Sequence, residues 1–332
     1  MKKVIKIWMS CIITLVLTVG IIYKLGELVR PINTDIALNA INTFHDMPEE
    51  TIEVIGYGSS HMWRGMDPLE MYEKYGIGAY NYGCNWQRIN TTELFLKDSL
   101  LTQSPKVVLI ETYLVNSVLQ DTNITGEIYY TRGISEFEGK KEYLKQCFGD
   151  DKERYLSYYM PLCAFHDNWV NLVAGNFSES ADNTDFYATM GFFSKSGITP
   201  VTIGDPSTFV QKELSDAAIE VLDEIVDICN QNDAKIIFYT APYAGNYEYG
   251  DAMQNYAASN GCVYLNLFEY MDELEINCET DFDDPTHLND SGSAKVADFL
   301  GSYIVNHYDV TDIRTIKENI WEKNMKRGKE RE

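Results

Sequence analysis

Residues Lys106–Tyr113 read Lys-Val-Val-Leu-Ile-Glu-Thr-Tyr, a run with no polar residue at its centre. A strand with one wet face would alternate apolar and polar residues. A run that is apolar at successive positions needs cover on both faces, the situation of a parallel strand held between two helical layers. Four more strand-like runs accompany it: Thr51–Tyr57, Ala79–Gly83, Lys235–Thr240 and Cys262–Leu267. Helix-like stretches separate them. Asp67-Pro68 opens a short one, Ile89–Gln103 is stopped by Ser104-Pro105, and others fall at 210–231, near 249–259 and at about 291–306 behind the capping residues Asn289-Asp290-Ser291. Strands alternating with helices predict a three-layer α/β fold with about five parallel strands and right-handed crossovers.

In such sheets, chemistry gathers on the rim where strands end and loops begin. The first run, Val54-Ile55-Gly56-Tyr57, breaks into Gly58-Ser59-Ser60-His61. Beyond the fifth run comes Asp284-Pro285-Thr286-His287. Together they supply a serine, a carboxylate and an imidazole on one rim. A serine hydroxyl is a poor nucleophile until a base takes its proton, and the base needs a group that fixes its tautomer. Ser60 is the candidate nucleophile, His287 the base and Asp284 the orienting carboxylate. Ser59 competes for the first role and Asp283 for the third. His61 neighbours Ser60 in the chain, where adjacent side chains diverge, so it is read as pocket lining. Asp281, Asp283, Asp284 and His287 also admit a reading as hard-metal ligands. Glu111 closes a buried strand and is read as structural, paired by Arg64 or Arg88.

At these residues the chain resembles the SGNH/GDSL hydrolase family. The Gly-Asp-Ser of its first block stands here as Gly58-Ser59-Ser60, and its last block, Asp-x-x-His, as Asp284 to His287. The likeness covers about 51–115 and 212–305. It is nearest to the membrane-anchored Gram-positive branch, which includes proteins of teichoic acid D-alanylation and polysaccharide O-acyl esterases and transferases. The resemblance implies a flavodoxin-like SGNH fold, a Ser60–His287–Asp284 triad and ester chemistry without metal or organic cofactor. It also implies an oxyanion hole, with the Ser60 N–H as first donor. The family's second and third donors come from a Gly block and an Asn block. Here those blocks read Asn81-Tyr82-Gly83-Cys84-Asn85-Trp86-Gln87 and Glu111-Thr112-Tyr113-Leu114-Val115-Asn116, so Asn85, Gln87 and Asn116 are the remaining candidates. The implied substrate is an acylated carbohydrate or envelope polymer, with a membrane acyltransferase as a further partner. The rival expectation is a non-catalytic SGNH-like envelope protein that binds glycan or scaffolds an assembly. Tyr155, Tyr158, Tyr159 and Trp169, and separately Tyr243, Tyr247 and Tyr249, are residues that stack on sugars or pack the fold.

The formal net charge of −23 argues against nucleic acid, whose phosphates are bound by neutralising them. Ile7–Tyr23 is uncharged and mostly apolar, with Lys2, Lys3 and Lys6 before it and Lys24 and Arg30 after. That pattern predicts a single-pass anchor through residues 7–23, N-terminus cytoplasmic and the bulk of the chain extracytoplasmic; a cleaved signal peptide is the alternative. The expected organisation is a signal anchor at 1–30, a juxtamembrane stalk at 31–50, a catalytic domain at 51–308 with an insert at about 114–205, and a charged tail at 309–332. Six cysteines lie beyond the anchor, an even number that permits disulfides, though Cys229 and Cys262 read as buried thiols.

Overall fold

The apolar runs form the sheet that their pattern predicts. A computed structural model describes residues 2–30, 32–120, 126–177 and 185–329. Strands β1 (Val54–Tyr57), β2 (Ala79–Asn81), β3 (Val107–Glu111), β4 (Lys235–Thr240) and β5 (Val263–Asn266) make one sheet in the order β2-β1-β3-β4-β5. Every pair is parallel, with Val54 opposite Ala79 and Val107, and Val107 opposite Lys235. Every residue of β1 and β3 is buried, because helices cover both faces. Val54, Val107, Leu109, Ile237 and Leu265 pack with Met71, Val296, Leu300 and Ile304 of the helices Pro68–Tyr75 and Asp290–His307. On the other face, Tyr57 reaches Ser99 at the end of the Ile89–Ser99 helix, which packs on Asp216–Gln231. The order 2-1-3-4-5 reverses direction at β1, so a crevice opens between the carboxyl ends of β1 and β3.

The chain divides into two compact units. The larger, 40–119, 134–143 and 184–332, holds the sheet; the smaller comprises 1–39, 120–133 and 144–183. The smaller unit is built on the helix Lys2–Val29, 28 residues and so about 42 Å long. It is long and apolar enough to cross a membrane. Within the smaller unit, Pro161 separates two short helices, Lys152–Tyr159 and Pro161–Phe165, and a 3-10 turn follows at His166–Asn171.

Three expected boundaries change. The stretch read as a juxtamembrane stalk, 31–50, contains a helix, Ile32–Phe44, that buries Ala37, Ala40, Ile41 and Phe44, with the Phe44 ring stacked 4.1 Å from that of Tyr82. The stretch 114–205 is not one insert. Residues 185–205 return to the larger unit, where the Asn81 N–H donates to Met190 O and the Thr199 N–H to Phe282 O. The charged tail contains a helix, Ile320–Lys329, and it is docked rather than exposed throughout. Trp321 is 2% exposed and donates from Nε1 to Ala79 O at 2.8 Å, closing the free edge of β2. All seven cysteines are free thiols; Cys229 is buried and Cys262 half-buried.

An indole in that position is structural. Trp321→Ala is expected to destabilise the larger unit by roughly 3–5 kcal/mol, read by urea unfolding of the detergent-solubilised protein. A frayed tail would leave the midpoint unchanged.

Candidate active site

The turn after β1 is forced by Gly58. Its φ of +150° is open to glycine alone, and a Cβ there would lie 2.9 Å from Glu111 Cβ on β3. Gln87 accepts the Gly58 N–H at 3.1 Å, and Gly58 O accepts the Cys84 N–H at 3.2 Å. The chain then enters a single helical turn, Ser60–Trp63, capped by Ser59, whose Oγ accepts the His61 N–H at 3.3 Å. Ser59 is thus occupied as a cap, while Ser60 stands at the head of the turn.

The second half of the site lies on a ribbon rather than directly at the end of β5. Strands β6 (Phe282–Asp284) and β7 (His287–Leu288) form an antiparallel hairpin. The Ala244 N–H donates to Pro285 O, and Thr199 Oγ1 donates to Asp283 O, so loops on both sides grip it.

These elements bring three side chains into a relay. Ser60 Oγ lies 2.8 Å from His287 Nε2. His287 Nδ1 lies 2.9 Å from each oxygen of Asp284. With the proton on Nδ1 donated to Asp284, Nε2 is left to accept the Ser60 hydroxyl. Asp284 is itself held by the Thr286 hydroxyl at 2.7 Å and the Thr286 N–H at 2.8 Å. Burial pushes the Asp284 carboxyl up, but these donors and His287 outweigh it and leave the group well below the usual carboxylate range. For His287 burial dominates, Arg64 adds to it, and the imidazole sits below its ordinary value in spite of Asp284.

Arg64 does not pair with Glu111. Its guanidinium forks across the hairpin, donating to Asp284 Oδ2 at 3.1 Å and to Asp283 Oδ2. Arg88 donates to Ser117 Oγ. Glu111 is buried against the Ser59–Ser60 turn instead, accepting from the Tyr113 N–H at 3.0 Å and lying 3.3 Å from Ser59 Oγ. Burial raises its carboxyl to about 8, only partly offset by those hydrogen bonds.

The remaining candidates fall differently. Asn116 spans between Tyr249 OH and the Ser215 N–H, a loop-bracing task. Gln87 is buried beneath the turn. Asn85 is half-buried on the same loop. The Gly83 N–H is taken by Asn81 Oδ1. His61 lines the site in an aromatic wall, stacked 3.8 Å from Tyr113 and with its ring 5.2 Å from those of Tyr243 and His287. Tyr158, Tyr243 and Tyr247 are buried packing residues, while Tyr159 and Trp169 are exposed. Asp281 is bonded to Lys295 and Asp283 to Arg64, and among the described residues no three His, Cys, Asp or Glu side chains converge as metal ligands.

Sequence reasoning left out Thr286 and misassigned Arg64. The signal for Thr286 was its position inside Asp-x-x-His; for Arg64 it was a place four residues after the nucleophile, at the far end of the same turn. No protein-family model matches the chain, and no curated protein matches it in sequence. The functional reading therefore rests on the residues and their geometry.

Two outcomes follow from the charges. Glu111 is favoured as the neutral acid in the folded protein. Its contribution to stability is complete below the ordinary value of 4.5 and is lost as the pH rises through about 8. Glu111→Gln keeps an acceptor for Tyr113 and offers a donor to Ser59. It should match the parent in stability near pH 4 and exceed it by a few kcal/mol above about pH 9, measured by denaturant unfolding across that range. Arg64→Gln removes a cation that presses the His287 proton off. The His287 ring should then titrate at higher pH, as followed by NMR of its imidazole protons. A downward shift would mean that Arg64 acts on His287 mainly through Asp284.

Proposed function

We propose that this protein is a membrane-anchored, extracytoplasmic serine esterase or acyltransferase of the SGNH type. It acts on ester-linked acyl groups of a cell-envelope polysaccharide or related polymer. The observation that carries the reading is the continuous relay from Ser60 Oγ through His287 to Asp284, with contacts of 2.8 and 2.9 Å. The doubly wound strand order and the place of Ser60 at the end of β1 support the family resemblance noted in the sequence. The apolar run Ile7–Tyr23 of the helix Lys2–Val29, preceded by three lysines, supports an anchor with its N-terminus inside.

In this mechanism the Ser60 hydroxyl attacks the ester carbonyl as its proton passes to His287 Nε2. Asp284 steadies the imidazolium, and Thr286 and Arg64 steady Asp284. Collapse of the tetrahedral intermediate expels the alcohol, which takes the proton back from His287. The acyl group, now on Ser60, passes to water in hydrolysis or to a sugar hydroxyl in transfer, with His287 again the base. The Ser60 N–H, which makes no backbone hydrogen bond among the described residues, is the oxyanion donor best supported.

One observation favours the rival reading of a non-catalytic binding or scaffolding protein: Gly83 N–H and Asn116 are both engaged elsewhere, which leaves the oxyanion hole short of donors. A serine-directed fluorophosphonate probe separates the two. Full-length protein in detergent should be labelled at Ser60, and Ser60→Ala should abolish labelling while the unfolding midpoint stays within about 0.5 kcal/mol of the parent. His287→Ala should abolish it too, because the triad acts as a unit. Absence of labelling in the folded parent protein would sink the enzymatic reading.

A further inference from the structure

The segment 160–177 of the smaller unit is unlike the rest of the chain. Across the protein 23% of residues are charged, yet in this stretch Asp167 is the single Asp, Glu, Lys or Arg. Four of its large apolar side chains, Trp169, Val170, Val173 and Phe177, are each more than half exposed. Removing that much apolar area from water is favourable at roughly 25 cal/mol per Å², so this surface calls for a cover.

Its attachment says what the cover is. The segment is fastened to the carboxyl end of the apolar helix Lys2–Val29. Asn168 donates from its side chain to Val29 O at 2.7 Å, and Asn176 to Leu28 O at 3.2 Å and Arg30 O at 3.0 Å. These amides satisfy the carbonyls that a helix end leaves open. Helix Pro161–Phe165 lies so close to Gly26 that a Cβ there would come within 2.5 Å of the Leu162 nitrogen. The segment is thus a collar bonded to residues 26–30.

The apolar run Ile7–Tyr23 is 17 residues, about 25 Å as a helix, against a hydrocarbon core of about 30 Å. A run that short draws its flanks to the membrane–water boundary, and the collar with them. Trp and Phe are residues of that boundary, and Tyr23, held by Arg132 Nη2 at 3.0 Å, stands at the same level. The collar is thus bonded to the end of the apolar helix that would reach this boundary.

We propose that residues 160–177 form an interfacial membrane contact beside the spanning helix, with Trp169, Val170, Val173 and Phe177 inserted at the headgroup boundary of the leaflet where the helix emerges. The contact is apolar. With Asp167 its single charged side chain, it owes nothing to attraction by anionic lipid.

The test is a single environment-sensitive NBD label in the full chain, reconstituted into phosphatidylcholine nanodiscs, with the exposed Cys11 and Cys163 replaced by serine. Labels go on Val170→Cys, on Ile13→Cys within the helix, and on Ser259→Cys as an exposed site of the larger unit. The Val170 label should emit to the blue of the Ser259 label and be quenched by lipids doxyl-labelled near the headgroup. The signal should be the same at low and high salt and with phosphatidylglycerol added. A Val170 label that is water-like and unquenched, beside a quenched Ile13 label, would overturn the proposal. So would a blue-shifted but unquenched Val170 label, the mark of a protein partner on the collar. An Ile13 label that is itself water-like would remove the spanning helix and the proposal with it.

Discussion

The site depends on one side chain that ties its two halves together. Ser60 and His287 are 227 residues apart, and nothing local in either segment draws them to one place. Arg64 does. It leaves the chain at the end of the helical turn that Ser60 begins, and its fork closes on Asp283 and Asp284 of the hairpin. Its backbone carbonyl accepts the Ser293 hydroxyl, so the second covering helix grips the same residue. A planar guanidinium with fixed donor directions suits the bridging of two adjacent carboxylates, whereas an ammonium on a flexible stem lacks that geometry. Burying such a cation costs desolvation, and two carboxylates offset it; the net gain lies more in register than in stability.

The same region holds two carboxyl groups in opposite states, and the difference is a count of donors. Asp284 is partly exposed and receives donors from Thr286 twice, from His287 and from Arg64, so ionisation is favoured. Glu111 is buried at the end of β3 with no cation paired to it among the described residues, and its few neutral donors do not repay the loss of water. Their placement is consistent with different tasks. The charged group faces the His287 imidazole, and the neutral one backs the turn that carries Ser60. A buried anion behind Ser59 would instead oppose negative charge developing near Ser60.

How much of this was legible in the sequence follows from how local each signal is. The five strands, the Asp67 and Asn289 caps and the Gly58 turn are written in short windows, and they stand where the apolar runs and capping residues put them. Partner choice is not local. Arg64 and Glu111 are both near Ser60 in the fold, and only the hairpin, arriving from more than 200 residues away, takes the arginine from the glutamate. The helix Ile32–Phe44 had a signal: Ala37, Ala40, Ile41 and Phe44 recur at i, i+3, i+4 and i+7. Two alanines carry half of that pattern, and alanine is a faint apolar mark beside an anchor. In the tail, Lys and Glu outnumber the one tryptophan that docks it, so composition pointed to solvent while Trp321 was bound for the edge of β2.

The distribution of charge along the chain bears on the membrane contact proposed for the smaller unit. A lone spanning helix fixes the depth of whatever it carries but leaves rotation about its own axis free. A second contact off that axis removes the freedom, provided it does not depend on a field that salt can screen. Residues 160–177 meet that condition because they are nearly uncharged, and because Asn168, Asn176 and the close approach at Gly26 leave no slack between collar and helix. A segment whose single charged side chain is Asp167 gains nothing from the charge of a leaflet, so the proposed orienting contact is apolar. On that proposal the exposed Trp169, Val170, Val173 and Phe177 lie on the segment bonded to the helix end because lipid would cover them there.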